Sequence, residues 1–106
     1  MTTYTLRSYP IYFAATVSGA KTHELRSEAD LPQVAVGDVL LLQEYDPSKS
    51  SYTGASCKVR VTYISPGPQP WLVPGYTLMS TRWMSMIRKP RAPKRIPVET
   101  MPIAAS

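Results

Sequence analysis

The chain has 106 residues, a net charge of +5 and 43% hydrophobic residues. This length accommodates one domain with a modest core, and the composition excludes a disordered chain. The single cysteine, Cys57, excludes an internal disulfide and fits a reducing cytoplasm. No apolar stretch approaches the ~20 residues that a membrane span requires, and residues 1–4 are not followed by the apolar run of a secretory signal.

Charge is distributed unevenly along the sequence. Residues 1–46 hold three basic and six acidic side chains, whereas residues 47–106 hold nine basic and one acidic. A basic segment of this kind attracts polyanions and is typical of nucleic-acid binding, although it also suits an acidic protein surface. The candidate contacts for a nucleic acid or a protein partner are Lys58, Arg60, Arg88, Lys89, Arg91, Lys94 and Arg95.

The first predicted elements are a strand and a helix. Residues 4–7 are predicted to form a strand, and Pro10 fits the first turn of a helix, where its missing N–H is tolerated. Apolar residues at helical spacing follow, and Gly19 ends the helix because glycine readily adopts the left-handed conformation found after helices. Lys21 is therefore expected in a helix-to-strand turn.

The second predicted strand runs from Thr22 to Arg26. Alternation along a strand places Thr22, Glu24 and Arg26 on one side, and His23 with Leu25 on the other. We expect His23, the only histidine, to lie beside core residues, where such a residue is more often structural than catalytic.

Three further segments have strand patterns. Residues 39–42 form a continuous apolar run, as in a strand covered on both faces. Residues 57–63 alternate, which predicts a buried face made of Cys57, Val59, Val61 and Tyr63. Residues 76–80 form the last strand. The sequence thus predicts an α+β, mostly β fold, a small mixed β-barrel of about five to six strands with one or two short helices.

Composition changes after residue 81. Residues 1–81 are predicted to form the barrel, and residues 82–106 a basic, proline-rich C-terminal extension. Within this extension, residues 82–87 either lengthen the last strand or pack back on the barrel. We expect the rest of it to be a solvated tail or to be held by the barrel, by nucleic acid or by a protein.

An ordered series of short motifs runs through the first 81 residues. They are Gly19-x-Lys21-Thr22-x-Glu24-x-Arg26, Val36-Gly37-Asp38, Glu44-Tyr45 and Tyr52-Thr53-Gly54. From residue 4 to about 81 the chain resembles the ASCH domains of the PUA-like superfamily, and more closely a small DUF3850-like branch of bacteria and phages, whose function is unknown. The resemblance implies a PUA-like barrel, RNA or nucleotide binding, and a place in the cytoplasm of a bacterial cell.

The polar residues of these motifs are the candidate site. Lys21 and Arg26 supply donors for phosphates or base edges, and Glu24 accepts from an exocyclic amine. Loop and strand-end aromatics supply surfaces on which bases stack. The alternative is that Glu24 pairs with Arg26 or that either pairs with Glu44, which fixes strand register only. The candidate ligand-binding residues are Lys21, Thr22, Glu24, Arg26, Glu44, Tyr52 and Trp71.

Three functions follow from these features. The first is a noncatalytic RNA- or nucleotide-binding module. The second, implied by the wider superfamily, is a small amidohydrolase acting on a modified cytidine nucleoside, with Lys21 and Glu24 as candidate catalytic residues. The third is a phage-encoded factor that binds a host protein through its basic tail. We expect no cofactor and no metal, because Cys57 has no companions at metal-ligand spacing, and whether the protein is an enzyme stays open.

Overall fold

The computed structural model describes residues 1–66 and 69–88, which form one five-stranded sheet and one helix. In chain order the elements are β1 (Thr3–Ser8), α1 (Pro10–Ser18), β2 (His23–Ser27), β3 (Val39–Asp46), β4 (Ser51–Ile64) and β5 (Tyr76–Arg88). The strand order is β1-β3-β4-β5-β2. The β1–β3 pair is parallel and the other pairs are antiparallel. The predicted α+β, mostly β fold class is confirmed.

The sheet is curved into a half-barrel with β1 and β2 as its two edges. Across residues 1–66 and 69–88, no backbone ladder joins these edge strands. Helix α1 connects them in the chain and packs against β3 and β5. No helix of the described segments is long and apolar enough to cross a membrane.

Helix α1 has the ends that the sequence predicts. Pro10 occupies the first turn, after Tyr9 in an extended conformation. Gly19 has φ +85°, and its N–H donates to the Thr16 carbonyl (3.1 Å). This left-handed position is costly for a residue with a Cβ atom, so glycine fixes where the chain turns toward β2.

The core lies between the sheet and the inner side of α1. Most of it comes from β3 and β4. In the apolar run after residue 38, Val39, Leu40 and Leu42 are buried and Leu41 is half-buried, so the strand is covered on both faces but less completely on one. Apolar burial of this kind supplies most of the free energy that holds a small domain together. The buried apolar residues that contact one another are Leu6, Phe13, Leu31, Leu40, Leu42, Ala55, Cys57, Val59, Val61 and Met79.

The predicted buried face of β4 ends earlier than its alternation indicates. Cys57, Val59 and Val61 are buried, but Tyr63 is exposed. The prediction for Tyr63 is wrong because the β4–β5 register shifts between Val61 and Tyr63. A bulge at this point inserts one residue and moves the following side chains to the opposite face.

Strand β5 passes through the position predicted as a domain boundary. Residues 82–88 continue to pair with β4, as in the pairs Cys57↔Met86 and Ser56↔Arg88. The boundary at residue 81 therefore falls within β5, and residues 82–88 belong to the sheet. The remainder of the predicted extension, residues 89–106, lies outside the described residues.

Replacing a core leucine tests this assignment. Leu40 has no exposed surface, so Leu40→Ala leaves a cavity and is expected to lower the free energy of unfolding by about 2–5 kcal/mol. Leu25 is 52% exposed, and Leu25→Ala is expected to change it by less than about 0.5 kcal/mol. Chemical denaturation of both variants measures the difference. Equal losses would contradict the core described here.

Candidate functional site

A hollow of about 480 Å³ opens beside the two edge strands of the half-barrel. It lies where β1 ends, α1 begins and β2 starts. The chain brings these segments together because α1 connects the two edges of the sheet. The lining residues are Arg7, Ser8, Tyr9, Tyr12, Lys21, His23, Glu24, Leu25 and Arg26.

One wall of the hollow is an ionic cluster made of Lys21, Glu24 and Arg26. Glu24 is only 3% exposed. Arg26 Nε donates to Glu24 Oε1 (2.8 Å), and Lys21 Nζ donates to Glu24 Oε2 and to the carbonyl of His23 (2.6 Å). Both carboxylate oxygens thus have a cationic donor, which is the condition under which a buried charge is tolerated.

The local backbone explains why these three side chains meet. The N–H of Lys21 donates to the Ala15 carbonyl (3.0 Å), which holds the turn after α1 against the helix. Glu24 and Arg26 are two residues apart in β2, so they lie on the same side of the strand. Glu24 pairs with Met79 across the β2–β5 ladder, which places its backbone next to a core residue.

The opposite side of β2 is exposed. Both His23 and Leu25 lie there, so the expectation that His23 lies beside core residues is wrong. At this edge of the sheet the inner side of the strand is occupied by Glu24 and Arg26 instead of apolar residues. Alternation then turns His23 and Leu25 outward, at the rim of the hollow.

The ionic cluster has hydrogen-bonding capacity to spare. A lysine ammonium has three N–H donors and an arginine guanidinium has five. Among contacts between described residues, Lys21 uses its Nζ for two acceptors, and Arg26 uses only Nε. The terminal nitrogens of Arg26 therefore remain for a ligand in the hollow, and the cluster keeps one net positive charge.

Arg7 brings a second guanidinium to the hollow from β1. Its Nε donates to the Tyr52 hydroxyl (3.2 Å), and its Cζ lies 4.1 Å from the centre of the Tyr45 ring. The two tyrosine rings meet edge to face, with their centres 5.0 Å apart. The hydrogen bond with Tyr52 raises the pKa of Arg7 above its ordinary value, so this side chain remains cationic.

Aromatic surface is supplied by the first turn of α1. Tyr9 and Tyr12 line the hollow and are about half exposed. Tyr9 is the N-cap, and it makes no side-chain hydrogen bond to the helix. This end of α1 thus adds a partial positive charge to the same side of the molecule.

Arg7, Tyr9 and Tyr12 are not predicted as site residues from the sequence. Tyr52, the hydrogen-bond partner of Arg7, is 45 positions away in the chain. The two meet because β1 pairs with β3 and β3 pairs with β4, and no local motif encodes that register. The only local signal is a cation near the end of a predicted strand, directly before a helix.

The other predicted ligand-binding residues lie outside the lining of the hollow. Thr22 is exposed just before β2, and Glu44 accepts a hydrogen bond from Thr53 Oγ1 (2.7 Å). Tyr52 reaches the hollow only through Arg7. Trp71 is 61% exposed in the loop before β5. Residues next to Trp71 line a second hollow of about 470 Å³, which is made mainly of loop.

The predicted cationic contacts are spread along β4 and β5. Lys58 and Arg60 are half-buried, and Arg60 Nη1 donates to the Gly37 carbonyl (2.8 Å). Arg88 is exposed at the end of β5. None of the three lines the hollow described above. The others, Lys89, Arg91, Lys94 and Arg95, lie outside the described residues.

Cys57 has the environment of a structural thiol. It is fully buried, and burial, with a smaller effect from the charge of Glu24, raises its pKa to about 11. The side chain is therefore a neutral thiol at physiological pH and not a nucleophile. Within the described segments, no group of three or more histidine, cysteine, aspartate or glutamate residues is arranged to hold a metal ion.

The chain is similar to a known protein family. A family model described as a domain of unknown function (DUF3850) matches residues 3–81. That range contains every residue that lines the hollow. No curated protein matches the chain significantly. The predicted DUF3850-like branch is confirmed by the family match.

The carboxylate of Glu24 can be removed with little change in shape. Glu24→Gln leaves the ammonium of Lys21 and the guanidinium of Arg26 without a counter-charge, and we expect it to lower the free energy of unfolding by about 1–3 kcal/mol. Glu28→Gln is the matched control, because Glu28 is exposed and makes no side-chain ion pair among the described residues. Denaturant titration of both variants gives the comparison, and a Glu24 variant as stable as the Glu28 variant would exclude a stabilising role for the cluster.

Proposed function

Because the chain belongs to the DUF3850 family, whose function is unknown, we propose a role from the hollow itself. The protein is an RNA- or nucleotide-binding module of the ASCH/PUA-like type, of bacterial or phage origin, that acts in the cytoplasm of a bacterial cell. The observation that carries this proposal is the ionic cluster, in which buried Glu24 positions Lys21 and Arg26 with unused donors at the wall of a hollow.

The lining of the hollow matches the chemistry of a nucleotide. Guanidinium and ammonium donors bind phosphate oxygens, and an arginine does so with two parallel hydrogen bonds. The rings of Tyr9 and Tyr12 offer surfaces on which a base stacks, as single-stranded RNA does on aromatic side chains. Hydrogen-bond donors for phosphate oxygens and aromatic rings for base stacking thus line the same hollow.

The size and charge of the hollow support the same ligand class. A volume of about 480 Å³ falls within the range of roughly 300–1,000 Å³ typical of small-ligand sites. The lining contains three basic side chains, Arg7, Lys21 and Arg26, against one carboxylate. The net charge of +5 for the whole chain further favours polyanions.

Hydrolysis of a modified cytidine has less support than binding. A lysine that acts as a general base needs a free amine within reach of the substrate. Lys21 Nζ instead donates to Glu24 and to the His23 carbonyl. The same contacts occupy the carboxylate of Glu24, the other candidate catalytic residue. With both candidate groups engaged in the ion pair, this arrangement suits the binding of an anionic ligand more than proton transfer.

Binding to short single-stranded RNA tests the proposal. We expect fluorescence anisotropy to show affinity that falls steeply with salt, as for any ligand held through phosphates. Arg26→Ala is expected to weaken binding at least tenfold, about 1.4 kcal/mol, since it removes a charge-assisted contact. Lys49→Ala is the control, because Lys49 is an exposed cation in the β3–β4 loop.

A check of folding and a second variant keep this binding test interpretable. Circular dichroism identifies variants that fail to fold, and Arg7→Gln, a change at an exposed residue, serves as a second binding variant. Wild-type protein that binds neither RNA nor nucleotides would contradict the proposal. Mass spectrometry of acylated cytidine after incubation with the protein separates the alternatives, because a deacylated product would establish hydrolysis.

The outer part of β5 favours a second candidate function, binding to a partner protein. Residues 82–88 pair with β4 on one side, and no strand among residues 1–66 and 69–88 pairs with their other edge. Trp83, Met84 and Ile87 are exposed there. Apolar strand edges of this kind pair readily with an extended segment of another chain.

The charge of this edge indicates the partner. Arg82 and Arg88 lie at its two ends, and it contains no carboxylate. A strand that complements this edge therefore has apolar side chains in its middle and acidic residues at its ends. We propose that such a segment of a partner protein adds to β5.

A designed peptide tests strand addition. A peptide of alternating valine and threonine flanked by aspartates is expected to shift the amide NMR signals of residues 82–88, whereas the same peptide flanked by lysines leaves them in place. Ile87→Glu should weaken the response, because it removes apolar surface and repels the aspartates, and Lys49→Gln should not. Shifts confined to the hollow, or equal responses to both peptides, would exclude this surface.

A further inference from the structure

We infer that the hollow recognises a terminal phosphate group, carried either by a free nucleotide or by the end of an RNA strand, and that Arg7 is the residue that gives this preference. The inference rests on the proposed nucleotide-binding function and narrows its ligand to phosphomonoesters. It is carried by the way in which the protein holds two arginines on opposite edges of one sheet.

Both arginines are held through the same atom. Arg26 Nε donates to Glu24 Oε1 (2.8 Å), and Arg7 Nε donates to the Tyr52 hydroxyl (3.2 Å). Arg7 is further positioned by the Tyr45 ring, 4.1 Å from its Cζ. A guanidinium anchored at Nε has a fixed orientation, and its rigid fork loses little entropy when it binds.

The terminal nitrogens of both guanidinium groups remain available. Neither Arg7 nor Arg26 donates from a terminal nitrogen to any described residue. Two terminal nitrogens form the pair of parallel bonds with which arginine binds a phosphate. Because both residues line one hollow, a small anion there can contact two forks and the remaining donor of Lys21.

Charge separates a terminal from an internal phosphate. Three cations and one carboxylate leave the lining with a net charge of +2 when His23 is neutral. A phosphomonoester carries about −1.5 to −2 at pH 7, whereas each internal phosphate of a nucleic-acid strand carries one negative charge. The terminal group therefore matches the lining more closely. It also has three unesterified oxygens for the available donors, whereas an internal phosphate has two.

Arg7 is the discriminating group in this arrangement. Without Arg7, the remaining ionic cluster has a net charge of +1. That charge is matched by the single negative charge of an internal phosphate, so the cluster alone does not favour a terminal phosphate. Tyr52 is then a positioning residue, since it acts on the ligand only through Arg7. Its hydroxyl fixes the guanidinium, and its ring lies 5.7 Å from the Arg7 Cζ.

The experiment compares ligands that differ only in their ends. Pentauridylate with a 5′-phosphate, with a 3′-phosphate and with two hydroxyl ends is titrated into the full chain, beside uridine monophosphate, uridine and inorganic phosphate. We expect at least one phosphorylated strand or the monophosphate to bind about tenfold more tightly than its hydroxyl counterpart at pH 7.5.

Variants assign the preference to Arg7. Arg7→Gln is expected to abolish it, and Tyr52→Phe to reduce it, because the ring remains but the hydroxyl that accepts from Nε is lost. Arg7→Lys should restore only part of it, since the charge returns without the fork. Lys49→Gln should leave it unchanged. Circular dichroism and denaturant titration check that each variant is folded.

The outcomes separate this inference from the function on which it rests. Equal affinity for phosphorylated and hydroxyl-ended ligands would overturn the terminal-phosphate preference and leave RNA binding intact. A preference that persists in Arg7→Gln would overturn the role of Arg7. Failure of every ligand to bind would overturn both proposals. Tight binding of the monophosphate identifies a free nucleotide as the ligand, whereas tight binding of a phosphorylated strand alone identifies an RNA end.

Discussion

The buried carboxylate of Glu24 is the constraint on which the candidate site depends. A charge that is almost fully removed from water needs compensating partners, and here each oxygen has one, from Lys21 and from Arg26. This requirement fixes both cations in place before any ligand arrives. Preorganised donors bind a ligand at a lower entropic cost than mobile surface side chains do. One ion-paired residue thus holds together the cationic wall of the hollow.

The pairing of Glu24 with Arg26 and the presence of a hollow are not competing descriptions. From the sequence alone they are alternatives, because an ion pair that uses all of its hydrogen-bond donors internally leaves none for a ligand. In the structure Glu24 occupies one nitrogen of Arg26, and the terminal nitrogens are left over. Both descriptions hold together because a guanidinium has more N–H donors than one carboxylate can accept from.

Local features of the chain could be predicted from the sequence, and contacts between distant segments could not. Pro10 and Gly19 mark the ends of α1, and the alternation after Lys21 places Glu24 and Arg26 together, because turn chemistry and strand period act over a few residues. Tyr63 shows the limit, since the bulge that exposes it depends on the register of β4 against β5. Arg7 and Tyr52 meet only through two strand pairings, so the local sequence around either residue does not predict their contact.

The open seam between β1 and β2 has a consequence for stability. Arg7 belongs to one margin of the sheet, and Lys21 and Arg26 belong to the other. An anion that contacts all three acts as a noncovalent cross-link over a gap that no backbone hydrogen bond closes within residues 1–66 and 69–88. Occupancy and resistance to unfolding are then thermodynamically linked, so the protein becomes harder to denature as the concentration of its ligand rises.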